Sequence, residues 1–334
     1  MKNIPKQILI ATTIFLIILS CFPFSNSQST QFRTIELVSK PVTDAKREYI
    51  AIEAIENLSS YKPLTSEMKS VVEYNLLSGE EFINNTFPSE NILNITQIEP
   101  YEGLGYYVQR ENIDSMLRAS YVFPPDDRLR VSPTTSYPWR SVCKILVTAQ
   151  NGSKYEGTGA IIDNFHVLTC GHLVHIKDAG GWVSDLTAIP GMDGSLEPYL
   201  SAKGVYFRSY TGWTQDEMSE HDWALITLDR SLGKFTGWMG VQTEDPSNSI
   251  YMGGVNTAGY PGDLNDGQYM YKTYDTGDGA DEYNHYYWLD SAGGQSGSPV
   301  WLFDGSNRYI LTIHAYSRLG VASNFGTRLN TEKN

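Results

Sequence analysis

Cysteine is scarce: the 334 residues hold three, Cys21, Cys143 and Cys170, too few for a disulfide framework to hold a chain of this length together. Basic residues are also in the minority, with 25 Lys and Arg against 38 Asp and Glu and a formal net charge of -13. No basic stripe is present to displace counterions, which excludes nucleic acid and anionic membrane surfaces as partners. There is no internal repeat and no low-complexity tract. A Gly-x-Ser-x-Gly elbow is missing too, which argues against a serine esterase of the α/β-hydrolase type.

The long apolar run is confined to Ile8–Leu19, preceded by Lys2 and Lys6 and followed by Ser25-Asn26-Ser27-Gln28. That is the pattern of a secretory signal peptide over residues 1–27, and the run is too short for a stable membrane span. An uncleaved anchor, or a lipoprotein signal ending at Cys21, is the alternative. The expectation is a secreted, extracellular protein without a membrane segment in its mature form. If Cys21 leaves with the signal, Cys143 and Cys170 remain either as a disulfide or as two buried thiols, and the sequence leaves both open.

What is abundant is Tyr (22), Gly (29) and aromatic side chains in general (12%), a composition of short strands joined by turns. Residues 28–120 are acidic, rich in Asn and Ser, and include helix-like stretches such as 45–58. They carry no catalytic constellation and read as a propeptide, with a retained accessory domain as the alternative. After Pro124-Pro125 the texture changes. Val142–Thr148, Gly159–Asp163, His166–Thr169, Trp223–Leu228, Ser298–Phe303 and Tyr309–Ile313 read as strands, with turn signals at Asn151-Gly152, Asp193-Gly194 and Pro261-Gly262-Asp263. The catalytic domain is expected over residues 121–334.

Three segments in this region carry chemistry. In Gly293-Gly294-Gln295-Ser296-Gly297-Ser298-Pro299 the glycines permit backbone conformations in which the N–H groups of Gly294 and Ser296 converge as an oxyanion hole beside the Ser296 hydroxyl. In Val167-Leu168-Thr169-Cys170-Gly171-His172 a strand ends in a small-residue turn that presents His172 as a general base. His166 and His175 lack that turn and read as structural. In His221-Asp222-Trp223 an acid precedes an apolar strand, placed to orient an imidazole. Alone, each segment is an ordinary turn. Together they run in the order His, Asp, Ser, that of the chymotrypsin-like enzymes among convergent triads.

The chain resembles the glutamyl endopeptidases of the V8 and Bacillus type, a branch of the chymotrypsin-like serine proteases. The resemblance runs from Asp126-Asp127-Arg128 and Thr134-Thr135-Ser136-Tyr137-Pro138, through the His172 and Asp222 segments and Gly259-Tyr260-Pro261-Gly262-Asp263, to Gly293–Val300 and Gly326-Thr327-Arg328. It implies an all-β fold of two six-stranded antiparallel β-barrels with the catalytic residues His172, Asp222 and Ser296 in the cleft between them. It also implies release of a new N-terminus that helps complete the specificity pocket. Polypeptides are the expected substrates, the protein is expected to be a monomer, and no cofactor or metal is called for.

In these relatives a His beyond the nucleophile and a hydroxyl residue before it help to bind the substrate's carboxylate. The matching positions are His314 and Ser291, which points to cleavage after Glu or Asp. Asp290 stands where trypsin-like enzymes carry the acid that selects Arg or Lys, so that cleavage is the rival expectation; a non-catalytic binding protein on the same fold is the third. Cys170 departs from the family pattern, where a small or polar residue is usual.

Overall fold

The computed structural model describes residues 70–84, 97–98, 100–101, 121–305, 307–317 and 323–330. The expected signal peptide, the helix-like stretch 45–58 and most of the propeptide lie outside the described residues. Everything described falls within one compact unit, Glu48–Asn334.

The first strands in the chain are β1 (Val71–Asn75), β2 (Glu80–Asn84), β3 (Gln97–Ile98) and β4 (Leu129–Arg130). The first barrel then begins with β5 (Val142–Thr148), β6 (Lys154–Ile161) and β7 (His166–Thr169). A small hairpin of β8 (His175–Ile176) and β9 (Gly181–Trp182) intervenes, before β10 (Asp185–Pro190), β11 (Ala202–Tyr210) and β12 (Ala224–Leu228). Hydrogen bonding runs β10-β5-β6-β7-β12-β11 and closes through a β10–β11 pairing, giving six antiparallel strands. The closing pairing is short, Thr187↔Lys203 and Ala188↔Ala202, so part of the β11 edge stays open beyond it.

β13 (Gly240–Gln242) links to the second barrel, formed by β14 (Gly254–Gly259), β15 (Tyr271–Ala280), β16 (Asn284–Tyr287), β17 (Pro299–Asp304), β18 (Asn307–Ser317) and β19 (Asn324–Arg328). Its order is β17-β14-β15-β16-β19-β18, closed by β17–β18. The two-barrel expectation holds. Ile145, Ile161, Val167, Leu168, Leu186, Ile189 and Ile226 are fully buried in the first barrel, each such side chain contributing roughly 1.5–3 kcal/mol of hydrophobic stabilisation.

Part of the expected propeptide is described, and it forms strands. The β1–β2 hairpin adds to the first barrel's sheet, with β1 antiparallel to β11 from Val71↔Tyr210 to Asn75↔Tyr206. Tyr74 stacks on Trp182 at 5.2 Å, and Glu73 pairs with Arg208 at 3.0 Å. Beyond its short pairing with β10, β11 offers unpaired main-chain groups, and β1 satisfies them.

Between adjacent strands of the first barrel, Lys144 Nζ lies 2.8 Å from Glu156 Oε2, both side chains 2% exposed, and Nζ also donates to the Gly267 carbonyl at 3.0 Å. Burial pushes the lysine pKa down and the glutamate up, each opposed by its partner. Removing one member leaves the other charge stranded in a low-dielectric interior. Lys144→Met is therefore expected to cost about 3–5 kcal/mol, read as a lower midpoint in chemical denaturation, whereas a loss under about 1 kcal/mol would show that water reaches Glu156.

Candidate active site

Three loops meet between the barrels, each placed by the strand it borders. β7 ends at Thr169, and the short 3-10 turn Gly171–Leu173 carries His172. A Cβ on Gly171 would stand 2.7 Å from the Trp213 ring, so only glycine lets this turn pack. The turn Ser219–His221 delivers Asp222 at the mouth of β12. The Asp222 carboxylate is fully buried, accepting the His172 main-chain N–H on Oδ1 at 2.8 Å and facing Nδ1 with Oδ2 at 2.7 Å. Burial by itself would lower the imidazole pKa, but the charge and hydrogen bond of Asp222, together with the adjacent Cys170 sulfur, outweigh it and hold His172 well above its ordinary value.

Ser296 lies in the loop before β17 and lines a cavity of about 200 Å³ together with His172, Gly294, Leu173, Glu156 and Trp213. A larger hollow of about 680 Å³, walled by Trp139, Trp301 and Lys272, contains none of the candidate residues. Gly294 and Gly297 have φ of +94° and +86°, and an added Cβ would meet the Tyr260 carbonyl at 2.4 Å and the Thr158 carbonyl at 2.0 Å, respectively. No side chain fits either position.

The same loop fixes two N–H groups. The Gly293 carbonyl accepts from Gly262 N at 2.6 Å and the Gln295 carbonyl from Ser298 N at 2.9 Å. Across a planar trans peptide the next N–H points opposite to the carbonyl, so the Gly294 and Ser296 amides turn away from those anchors. Thr158 holds the Gly294 carbonyl through its hydroxyl at 2.9 Å, and Gln295 Oε1 closes the loop by accepting from Ala292 N at 2.9 Å.

Ser291 and His314 are each 2% exposed, and Ser291 Oγ and His314 Nε2 have no hydrogen-bond partner among the described residues. His314 Nδ1 lies 2.8 Å from the Tyr287 hydroxyl. Burial and the nearby His172 charge lower the His314 pKa to about 3, while burial raises that of Tyr287 well above the ordinary phenol. A neutral imidazole beside a protonated phenol is thus the resting state. Asp290 is engaged differently: Oδ1 accepts from Phe123 N at 2.6 Å and Oδ2 from Asp127 N at 3.1 Å. Tyr121 O takes the Ser291 N–H at 3.4 Å and the Asn324 side-chain amide at 3.0 Å.

Sequence reasoning missed Tyr287, 27 residues from its partner, and the Lys144–Glu156 pair beside the cavity; neither has a local signature. Of the two histidines expected to be structural, His166 pairs with Asp163 at 2.7 Å, and His175 meets Trp182 edge-on at 5.1 Å and also lines the cavity. Cys143 and Cys170 are both free and buried, which settles the open alternative for thiols. Cys170 Sγ stands 3.4 Å from His172 Nε2.

The model of the Trypsin family matches residues 131–320. The chain is 34% identical over 244 residues to the extracellular metalloprotease of Bacillus subtilis, covering 70% of this chain and 76% of that protein. It is 30% identical over 217 residues to the glutamyl endopeptidase of Bacillus licheniformis, covering 63% and 66%. A solved Glu endopeptidase in complex with MPD superposes with a TM-score of 0.56 at 25% identity, over 64% of this chain and 95% of that one. The protease Anisep from Arthrobacter nicotinovorans shares the fold, with a TM-score of 0.52 at 19% identity over 61% and 94%.

Proposed function

The chain belongs to the trypsin family of serine proteases, and from that premise we propose that it is a secreted endopeptidase that cleaves polypeptides after Glu, and secondarily Asp, through an acyl-enzyme on Ser296. His172 takes the Ser296 proton as the hydroxyl attacks the scissile carbonyl and returns it to the leaving amine. Asp222 keeps Nδ1 protonated, leaving the Nε2 lone pair to act as base. The Gly294 and Ser296 amides stabilise the oxyanion of each tetrahedral intermediate, and the anchored carbonyls behind them mean that no reorganisation is needed during reaction.

The observation that carries the specificity reading is the pair of unpartnered buried polar atoms, Ser291 Oγ and His314 Nε2. Orphaned buried groups are costly unless a ligand satisfies them. Tyr287, staying protonated, donates to His314 Nδ1, so the ring's own proton sits on Nε2 as a donor. A P1 carboxylate would accept from it and from the Ser291 hydroxyl. Asp290 is a poor base for an Arg or Lys pocket, because both its oxygens already accept main-chain N–H groups.

His314→Ala is accordingly expected to lower kcat/KM for Glu substrates by about thirty- to a hundred-and-fifty-fold, the worth of a desolvated charge-assisted hydrogen bond, and to spare an uncharged P1. Peptides differing only at P1 provide the measurement. Uniform loss on all substrates would make His314 a core residue, and loss of Arg cleavage in Asp290→Asn would favour the trypsin-like alternative.

We further infer that residues 1–27 are removed as a signal and 28–120 as a propeptide. The segment from Tyr121 to Asp127 is pinned against Ser291, Asp290 and Asn324, so a terminus created near 120 would lie beside the pocket. Intact-mass analysis of active secreted enzyme should place the first residue between about Ser120 and Phe123; a mass starting at Gln28 would refute the processing.

Among the described residues, the one group of metal-ligating side chains does not suit the metal in the name of the Bacillus subtilis relative in a catalytic role. Cys170, His172 and Asp222 offer ligand atoms within 4.8 Å of one another. Asp222 Oδ2 is occupied by His172 Nδ1, which leaves two open donors where a catalytic zinc takes three protein ligands.

A further inference from the structure

Those two donors suit an ion that stops the enzyme. Resting on the triad assignment above, we propose that Cys170 Sγ and His172 Nε2 form a chelating pair for a soft divalent cation such as Zn²⁺, whose binding inhibits the protease reversibly. The S···N separation of 3.4 Å suits one edge of a tetrahedral site, since a metal with Zn–S of about 2.3 Å and Zn–N of about 2.0 Å holds such ligands about 3.5 Å apart.

The surroundings supply the rest of a metal site. Asp222 accepts the His172 Nδ1 proton at 2.7 Å, the outer-shell carboxylate that fixes a ligating imidazole and raises its basicity. Cys170 is fully buried at the end of β7, so an ion reaches its sulfur only from the His172 side. His172 is only partly buried and opens onto the cleft, which provides the entry path and room for water to complete the coordination. The balance is simple: a hydrated M²⁺ binds the neutral imidazole and the thiol, the thiol proton leaves to solvent, and one positive charge remains beside the Asp222 carboxylate. No electron transfer is involved.

Inhibition follows because the Nε2 lone pair that must receive the Ser296 proton is the one donated to the metal. Thiolate and imidazole favour Zn²⁺ and Cd²⁺ over Mg²⁺ and Ca²⁺, which take oxygen ligands. Glycine or alanine in place of Cys170 would leave a single donor and no chelate.

Two experiments test the site. Co²⁺ titrated into the Ser296→Ala protein should produce a thiolate-to-cobalt charge-transfer absorption that Zn²⁺ abolishes; this readout needs no catalysis, so it stands or falls independently of the nucleophile assignment. The band should vanish in Cys170→Ala and weaken in His172→Ala. In the active enzyme, the Zn²⁺ concentration for half inhibition should rise at least about tenfold in Cys170→Ala, each protein being normalised to its own uninhibited rate, with Mg²⁺ inert throughout. A cobalt band that persists in Cys170→Ala would belong to Cys143, and that result, the lack of any band in Ser296→Ala, or equal Zn²⁺ sensitivity with and without Cys170 would overturn the proposal.

Discussion

Ser296→Ala is expected to lower kcat by on the order of a million-fold while leaving the fold intact. The substitution removes one hydroxyl from a partly buried position. The main-chain bonds that hold the loop, Thr158 N to the Ser296 carbonyl at 2.8 Å and Gly297 N to the His314 carbonyl at 2.7 Å, do not involve that hydroxyl, and neither do the turned amides of Gly294 and Ser296. Residual hydrolysis of roughly 10³- to 10⁴-fold over water should persist from the oxyanion hole and substrate binding alone. Turnover of a peptide substrate and labelling by a fluorophosphonate probe measure the two sides of this claim. A variant retaining more than about a tenth of the activity, or still taking the label, is incompatible with a serine nucleophile there.

Asp222→Asn should lower turnover at neutral pH by roughly ten-thousand-fold. The reason lies in the contacts of the two carboxylate oxygens. Oδ1 accepts the His172 main-chain N–H, so an asparagine keeps its carbonyl oxygen there and turns its NH₂ toward Nδ1. Nδ1 must then accept, its proton moves to Nε2, and the nitrogen that should act as base is occupied. The pH profile reports the same change. In the wild type Asp222, with a contribution from the Cys170 sulfur, overcomes burial and holds the His172 pKa well above the ordinary 6.5, so kcat/KM should climb along a limb above that pH as the imidazolium loses its proton. Without the carboxylate that limb moves to lower pH. The sign for stability is opposite: a raised folded-state pKa stabilises below 6.5 and the contribution fades as pH rises through the folded value. Unchanged turnover with an unmoved limb would assign the orienting role to another acid.

Much of the site could be read from local sequence because its parts are local. Gly294 and Gly297 sit at positive φ with carbonyls where a Cβ would be, which is a demand on residue type at single positions. His172 and Asp222 each lie at one end of a strand, where a turn and an apolar run mark the place. The proposed specificity pocket was less legible. Asp290 and His314 were both visible as candidates with opposing implications, and the weighing between them depended on main-chain groups of Phe123 and Asp127 that approach Asp290 from 167 and 163 positions away.

By itself the sequence determined the order His172, Asp222, Ser296, the glycines that shape the nucleophile loop, and the strand-and-turn texture after residue 124, since each depends on residue type and near-neighbour spacing. Only the tertiary structure decided that Cys143 and Cys170 stay unpaired, that Cys170 faces the His172 ring, that the Tyr287 hydroxyl lies against His314 Nδ1, and that β1 from the expected propeptide adds to the sheet along β11. These are contacts between segments brought together by barrel closure. Burial, which sets the pKa of His314 and strands Lys144 with Glu156, is a property of the packed barrels and of no single stretch of chain.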